Sequence, residues 1–352
     1  MMKFYSDLTK SITPYKAGEQ PKDKRYIKLN TNENPYPPSP AVFDVVTKAC
    51  VEDLRLYPDP DTTILKEVIS QVKNVNVENI FTGNGSDEVL SMIFAAFFNK
   101  NDKVAYADIT YSFYEVYAAY YGLESVIIPL KDYKLIPQDY HGLNCKGIII
   151  ANPNAPTGDV VSSQDIESIV LSNKDSLVVV DQAYAAFSDT DITYLINKYD
   201  NLIVVETLSK SHALAGLRCG YCLANRNLIL ALERIKNCIN SYTVNRLTIK
   251  MAAAALMDRE YYARITEKIK ATRERTQKAL DEMGIPYIKS HSNFIFINLG
   301  NRAKEIYLKL KEQGILVRHF DKKGVNSFIR VTVGRDDEMD SFLFQLSRLI
   351  SS

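Results

Sequence analysis

Short β-branched runs alternate with amphipathic stretches along most of the chain. Two stretches, AVFDVVTKACVEDLRL and TTILKEVISQVKN, place their apolar residues at helical spacing. Between such stretches lie nearly continuous apolar runs, typical of strands buried on both faces: KVAYAD, SVIIPL, GIIIAN, LVVVDQAY and NLIVVETL. This rhythm predicts an α/β fold, with a mostly parallel sheet covered by helices on both faces. The run GLRCGYCLA follows VVETL after only a tight connection, so we expect it to be antiparallel.

The pattern changes near residue 225, where long helical stretches replace the alternation. A compact mixture of strands and helices follows, with closing helices predicted over 302–313 and 336–350. The opening stretch SITPYKAGEQPKDKRYIKLNTNENPYPPSP is rich in Pro and Asn and has no period of its own. We therefore divide the chain into an arm (1–38), a large domain (39–245) and a smaller α+β domain (246–352).

Charge and hydropathy exclude several classes of partner. The 352 residues carry 43 Lys and Arg against 42 Asp and Glu, so no excess charge favours nucleic acid or a membrane surface. No apolar run approaches the roughly 18 residues that span a bilayer, and MMKFYSDLTKS lacks the apolar stretch of a signal peptide. We expect a cytoplasmic protein with no nucleic-acid partner and no metal.

The cysteines are odd in number and widely scattered, at Cys50, Cys145, Cys219, Cys222 and Cys238. This pattern favours reduced thiols over a disulfide framework. Cys219 and Cys222 form a C-x-x-C pair, but strand alternation directs them to opposite faces. We interpret them as buried thiols in preference to a metal or redox site.

Two segments at predicted strand ends suit a ligand with a phosphate and a flat ring. In FTGNGSDEVL a strand ends in Gly-Asn-Gly and a helix begins at Ser86 and Asp87, where free N–H groups favour an anion. A merely capped helix is the alternative. In ITYSFYEVYAAYY, Tyr111 and Phe113 lie at a strand-to-helix turn, where an aromatic side chain can stack on a ring or simply pack in the core.

Two further strand ends carry amides and a carboxylate. IIIANPNAPTG is an unusually dense turn whose asparagine amides are free to donate. In LVVVDQAYAAF, Asp181 closes a hydrophobic strand, so its carboxylate needs a cationic partner, and the Tyr184 phenol reaches the same space. A structural salt bridge is the alternative for Asp181.

The segment TLSKSHALAGLRCGY places Lys210 after another buried strand, preceded by the hydroxyls of Thr207 and Ser209 and ahead of Arg218. A lysine desolvated beside other cations has a lowered pKa, which suits an amine that forms a Schiff base. Read alone, Lys210 could also be a surface lysine. The features together match one ligand, pyridoxal 5′-phosphate, whose ring acts as an electron sink.

The chain resembles the class II branch of the fold-type I aminotransferases, from about residue 28 to the C-terminus. The resemblance rests on these segments in order: NENPYP, YPDP, GNGSDE, TYSFY, NPNAPTG, VVVDQAY, TLSKSHALAGLRCGY, ILVRHF and FIRVTVG. It implies a mostly parallel seven-stranded sheet sandwiched by helices, with the arm packed on the small domain and on a second copy of the chain.

The resemblance also implies roles for the residues of the cofactor site. Lys210 would hold pyridoxal 5′-phosphate as an imine, and Asp181 would keep the ring nitrogen protonated. Tyr184 and Asn154 would bond the phenolic oxygen, and Tyr111 would stack on the ring. The phosphate would lie among Ser86, Asp87, Thr207, Ser209 and Arg218.

By the same resemblance the protein is a homodimer with shared sites, in which Tyr57 of YPDP reaches the phosphate held by the neighbouring subunit. Arg330 would bind the substrate carboxylate or phosphate, and Arg318 would be a second anion contact. Tyr15 and Asn32 would line the pocket.

Two positions depart from the family pattern. Ala155 stands where relatives usually have asparagine, and we assign the ring contact to Asn154 in preference to Asn152. His212 stands where an apolar residue or arginine is commoner. A proton shuttle and a packing role are both conceivable for His212, and we favour packing.

The implied reaction is transamination of L-histidinol phosphate with 2-oxoglutarate, giving imidazole-acetol phosphate and L-glutamate in histidine biosynthesis. A threonine-phosphate decarboxylase or an aromatic aminotransferase of the same family would keep every cofactor residue, so both alternatives stay open. A catalytically silent binding module with this fold is the alternative outside enzymes.

Overall fold

The computed structural model describes residues 3–47 and 51–351, so Cys50 lies outside the described residues. Its α-helices are α1 Asp7–Ser11, α2 Pro40–Asp44, α3 Thr63–Lys73, α4 Ser86–Phe97, α5 Phe113–Tyr121, α6 Ser163–Ser172, α7 Arg226–Ile239, α8 Arg246–Met257, α9 Arg259–Glu282, α10 Ala303–Glu312 and α11 Asp336–Ser351. Its strands are β1 Ile27–Lys28, β2 Ile80–Gly83, β3 Lys103–Ala107, β4 Glu124–Ile128, β5 Gly147–Ala151, β6 Leu177–Asp181, β7 Leu202–Thr207, β8 Gly220–Ala224, β9 Tyr287–Ile288, β10 Phe294–Asn298, β11 Ile315–Leu316, β12 Arg318–His319 and β13 Phe328–Thr332.

Within the described ranges, seven strands form the main sheet in the order β2-β8-β7-β6-β5-β3-β4. Strands β3 to β7 are parallel, and β8 is antiparallel to both β2 and β7, as its tight connection predicts. The carboxyl ends of β5, β6 and β7 therefore meet along one edge of the sheet. This is the edge at which open parallel sheets bind their ligands.

One strand prediction was wrong in its burial. SVIIPL reads as a strand buried on both faces, but β4 lies at the edge of the sheet and is exposed or half-buried along its length. An edge strand has only one neighbour, β3, to cover it. Its apolar sequence does not reveal that position.

Two apolar clusters flank the main sheet. Cys219 belongs to one and Cys222 to the other, so the two thiols are buried on opposite sides, as the alternation predicts. The sequence predicts one helix over 41–56. In this range the structure gives α2 and a 3-10 turn at Asp53–Arg55, and 48–50 lie outside the described residues.

A second sheet, with the order β12-β13-β10-β9, is antiparallel and packs with α9 and α11 around its own core. The segment between α1 and α2 joins this unit, because β1 pairs in parallel with β11. Among the described residues no helix is both long and apolar enough to cross a membrane.

Candidate active site

A cavity of about 920 Å³ lies between the carboxyl edge of the main sheet, the opening segment of the chain and the second sheet. Most of the residues predicted for the site line it: Tyr15, Asn32, Ser86, Asp87, Tyr111, Asp181, Tyr184, Thr207, Ser209, Lys210, Arg218, Arg318 and Arg330. They come from segments far apart in sequence. Asn154 and Tyr57 are absent from the lining.

Lys210 follows β7, and its amine donates a hydrogen bond to the Thr31 carbonyl (3.2 Å). Burial lowers the pKa of Lys210 to about 8, and repulsion from Arg330 adds to that effect. The Asn34 amide donates to the carbonyls of Lys210 (3.0 Å) and Ser211 (3.1 Å), which ties the lysine segment to the opening segment. A large share of the amine is therefore neutral, and hence nucleophilic, near pH 8.

Asp181 ends β6 with its carboxylate almost fully buried. It accepts hydrogen bonds from the Tyr114 hydroxyl (2.9 Å) and the Ala183 N–H (3.1 Å). Among the described residues no lysine, arginine or histidine forms an ion pair with it. Burial therefore raises the pKa of Asp181 to about 6. A cationic N–H placed in the cavity would supply the partner that the protein does not.

Two further phenols, Tyr184 and Tyr111, line the same cavity as this carboxylate. The Asn32 amide donates to the Tyr184 hydroxyl (2.9 Å), and the Tyr184 ring meets Phe294 edge-on. The Tyr111 ring meets Tyr114 edge-on. Its hydroxyl donates to Asp87 (2.8 Å), so the ring is held in one orientation.

The floor of the cavity at α4 is shaped by glycine. Gly85 precedes α4 with a φ of +85°, and a Cβ there would lie 2.4 Å from the Arg218 guanidinium. A Cβ on Gly220 would lie 2.3 Å from the Ser86 nitrogen. Both glycines are needed because the helix start, β8 and Arg218 approach one another closely, which forms a cradle of N–H donors and one guanidinium.

Contrary to the prediction from sequence, the Asp87 carboxylate is not placed to bind a phosphate. Its carboxylate accepts from the Arg218 guanidinium (2.9 Å) and from Tyr111. An anion would be repelled by this carboxylate, so only the Asp87 backbone N–H suits a phosphate. The side chain instead orients Arg218, whose φ of +54° is unusual for a residue with a side chain.

The hydroxyls of Thr207 and Ser209 lie close together beside this cradle. Thr207 donates to the Ser209 oxygen (3.0 Å) and to the Cys219 carbonyl (3.2 Å). Both side chains are buried. They bring two polar hydrogens to the same end of the cavity as Arg218.

The structure does not bring the Asn154 amide to the cavity. Asn154 donates to the Ile109 carbonyl and to Thr157, and accepts from Thr110. Asn152 is equally occupied by the backbone of Val161. The NPNAPTG turn uses both amides to hold itself together, while Ala155 faces the cavity.

Tyr57 also lies away from the cavity of its own chain. Its side chain is 78% exposed and its ring stacks on Tyr242, with centroids 4.7 Å apart. Within the described part of one chain, the Tyr57 phenol therefore does not reach the cavity in which the phosphate is expected.

Arg318 and Arg330 stand opposite each other on the second sheet, as register partners of β12 and β13. Arg330 donates to the Asn30 carbonyl (3.2 Å), and its buried Nε has no hydrogen-bond partner in the described chain. Among the described residues, Arg318 donates to the carbonyls of Lys16 (2.8 Å) and Ala17 (3.2 Å). Burial lowers the pKa of Arg330, so an anion entering the cavity would be strongly favoured beside it.

His212 packs its ring against Tyr262, with centroids 4.6 Å apart, and its Nδ1 lies 2.9 Å from the Ser211 hydroxyl. Burial lowers the pKa of His212 to about 4. A neutral ring engaged in this way agrees with the packing role.

The sequence pattern did not predict three residues of the site: Tyr114, Thr31 and Asn34. Tyr114 lies one position beyond Phe113 in TYSFY, and only its contact with Asp181 distinguishes it from a core tyrosine. The other two lie in TNENPYP, whose density of asparagine was the only signal.

The fold and the site together define an enzyme of the fold-type I kind, in which a desolvated lysine and a buried carboxylate face one cavity. The model of the family "Aminotransferase class I and II" matches residues 24–346, and the chain belongs to this family.

Among similar proteins, histidinol-phosphate aminotransferase of Brachyspira hyodysenteriae is 50% identical, with all of both chains covered. The enzyme of the same name from Clostridium beijerinckii is 45% identical over all of this chain and 99% of the relative. The crystal structure of histidinol-phosphate aminotransferase from Sinorhizobium meliloti, in complex with pyridoxal-5′-phosphate, matches with a TM-score of 0.90. It is 24% identical, with 99% of this chain and 98% of that chain covered.

Proposed function

We propose that the protein transfers the amino group of L-histidinol phosphate to 2-oxoglutarate, with pyridoxal 5′-phosphate as its cofactor. The observation that carries the proposal is that Lys210, with a pKa of about 8, and the unpaired carboxylate of Asp181 line the same cavity. The names of the full-length relatives support the choice of substrate.

Pyridoxal 5′-phosphate suits this cavity on two counts. Asp181 is buried without a cation, and the protonated ring nitrogen of the cofactor would supply one. Gly85 and Gly220 let Arg218 and β8 approach the start of α4 closely, where a Cβ would intrude, so N–H donors and a guanidinium would converge on one phosphate. We propose that Lys210 binds the cofactor covalently, Asp181 holds its ring nitrogen, and the α4 N–H groups and Arg218 hold its phosphate.

When bound, the cofactor supplies a protonated heteroaromatic ring that takes up the electron pair of the bond broken at the substrate's α carbon. Lys210 Nζ would act as the base at that carbon and as the acid that returns the proton, because its lowered pKa leaves both forms populated near pH 8. Tyr184 and Asn32 would orient the ring oxygen through their hydrogen bond. Tyr111 would cover one ring face.

The arginine pair suits the two proposed substrates. L-Histidinol phosphate carries a phosphate and 2-oxoglutarate carries a distal carboxylate, so both present an anion to the same end of the cavity. Arg330 has a buried Nε without a hydrogen-bond partner in the described chain, and the hydrogen bonds of Arg318 to described residues go to backbone carbonyls. One anion site would therefore serve both half-reactions.

A coupled assay tests the function. Purified enzyme saturated with pyridoxal phosphate, given L-histidinol phosphate and 2-oxoglutarate, is expected to release L-glutamate. Lys210→Ala is expected to lower the rate by at least about a thousandfold, because the base at the α carbon is removed. Carbon dioxide released from threonine phosphate, without glutamate formation, would instead identify a decarboxylase.

We further propose a homodimer with shared sites and a cytoplasmic location. The segment around Tyr57 exposes large apolar side chains, namely Phe43, Val51, Leu54 and Leu56, and a surface of this kind marks a protein interface. In a dimer the Tyr57 phenol of one chain would reach the phosphate site of its partner. The reduced state of the four described cysteines suits a reducing compartment.

A further inference from the structure

The two arginines of the proposed anion site are unusually placed. Arg318 and Arg330 are directly opposite in an antiparallel pair, a position in which like charges repel. Neither guanidinium forms an ion pair with a carboxylate of the described residues, since their hydrogen bonds go to backbone carbonyls. These hydrogen bonds hold the two guanidiniums to different segments, so keeping them near one another requires a contact that both share.

Phe320 meets that requirement. It lies two residues after Arg318, and the guanidinium carbons of Arg318 and Arg330 lie over its ring at 5.5 and 5.6 Å from the centroid. The ring also lines the cavity, and Phe296 supports it edge-on. The negative face of an aromatic ring attracts a guanidinium without neutralising it.

We propose that Phe320 is a specificity-determining residue of the proposed reaction, which positions Arg318 and Arg330 so that both donate to one substrate anion. A carboxylate in its place would neutralise the arginines and compete with the substrate. An aliphatic side chain would remove the ring face that both guanidiniums share. Arg330 would keep its contact with the Phe294 ring (5.3 Å from the centroid), but the two guanidiniums would be free to move apart. The aromatic ring keeps two full charges available to a phosphate or a distal carboxylate.

This role predicts an effect on binding rather than on chemistry, and it rests on the proposed function only for the identity of the substrates. Phe320→Leu is expected to raise the KM of both substrates about tenfold, with kcat within about twofold of the native value. Phe320→Tyr keeps the ring face and is expected to restore native constants.

The decisive measurement uses the enzyme saturated with pyridoxal phosphate and two unreactive anions, inorganic phosphate and glutarate. Their dissociation constants are read from equilibrium titration, and are expected to rise about tenfold in Phe320→Leu. The matched control is Phe344→Leu, which removes a cation–π contact of the same kind. Arg348 lies 5.7 Å from the centroid of this ring, which is 59% exposed on α11.

Unchanged anion binding in Phe320→Leu, or equal losses in Phe320→Tyr or Phe344→Leu, would overturn the inference. If Phe320→Leu does not fold, Phe320→Met, which has similar volume, gives the same comparison. A native enzyme that binds both anions but does not transaminate the proposed substrates would refute the proposed function. The anion titrations would then still decide the role of Phe320.

Discussion

Lys210 and Asp181 are both buried away from water, and burial favours the uncharged form of each side chain. Burial lowers the pKa of the amine to about 8 and raises the pKa of the acid to about 6. An acid with a raised pKa and an amine with a lowered pKa are costly in a chain that has no ligand. They indicate that the cavity is built for a group that the chain does not supply.

The first prediction concerns the cost of Asp181 in the cofactor-free chain. Its folded pKa of about 6 lies above the ordinary value of 3.8, so the folded state loses stability as pH rises through that interval. Asp181→Asn removes this loss. We expect the cofactor-free variant to be about 1–3 kcal/mol more stable than the native chain at about pH 7.5, and little different at about pH 4.

Urea unfolding of cofactor-free protein at the two pH values provides the measurement. The exposed Asp175→Asn variant controls for the loss of one negative charge. A variant at position 181 that is less stable at the higher pH would contradict the assigned penalty. The same variant is expected to bind pyridoxal phosphate weakly, since the partner of the ring nitrogen is gone.

The second prediction concerns Lys210. Because only the neutral amine attacks an aldehyde, covalent capture of pyridoxal phosphate by cofactor-free enzyme should accelerate as pH rises toward about 8, and level off above it. Arg330 lowers the pKa of Lys210. Arg330→Met should therefore move the midpoint to higher pH.

The capture rate is followed by visible absorbance across the pH range. The control is Arg335→Met, at an exposed arginine that pairs with Asp337. A midpoint that stays unchanged in Arg330→Met would show that burial alone sets the pKa of the amine.

At the scale of elements, the phosphate cradle depends on how closely β8 approaches the start of α4. The third prediction is that Gly220→Ala weakens pyridoxal phosphate binding at least about tenfold, because its Cβ would meet the Ser86 nitrogen at 2.3 Å. The dissociation constant is measured by equilibrium dialysis of cofactor-free enzyme.

Gly216→Ala is the matched control, because a Cβ at Gly216 meets nothing within 4 Å. It is expected to bind the cofactor normally and to be slightly stabilised through its less flexible unfolded chain. Equal affinities in the two variants would mean that the cradle tolerates a shift of β8.

The strands of the main sheet also show which properties of a strand its own sequence predicts. The strands β5, β6 and β7 are recognisable because each is a continuous apolar run followed by a polar turn, and their ends carry the predicted site. The exposure of β4 was missed because burial depends on the neighbours of a strand, and its own residues are equally apolar.

At the scale of the whole molecule, the proposed shared site makes the fourth prediction. Lys210→Ala and Tyr57→Ala are each expected to be nearly inactive, the second because the neighbouring phosphate loses its phenol. Mixed and reassociated, they should form hybrid dimers in which one of the two sites contains neither substitution. Up to about a quarter of the native activity should then return.

Glutamate release by the unfolded and refolded mixture is compared with that of each variant treated alone. The control mixture contains Lys210→Ala with Asp181→Asn, both of which lie in the same chain's cavity. This pair cannot complement, because in every hybrid dimer one site lacks Lys210 and the other lacks Asp181. The Tyr57 pair complements only if the phenol acts across the interface. No recovery in the Tyr57 mixture, or equal recovery in the control, would contradict the shared site.

The sequence by itself determined the α/β architecture and the principal chemistry. Apolar runs and helical spacing fixed the order of elements, and because parallel strands end at one edge, Lys210, Asp181 and Arg218 could be assigned to one site. Tertiary structure decided which groups serve that site. It engaged Asn154 within its own turn, turned the Asp87 carboxylate toward Arg218, and brought Tyr114 to Asp181, because such contacts join residues whose separation in sequence carries no local signal.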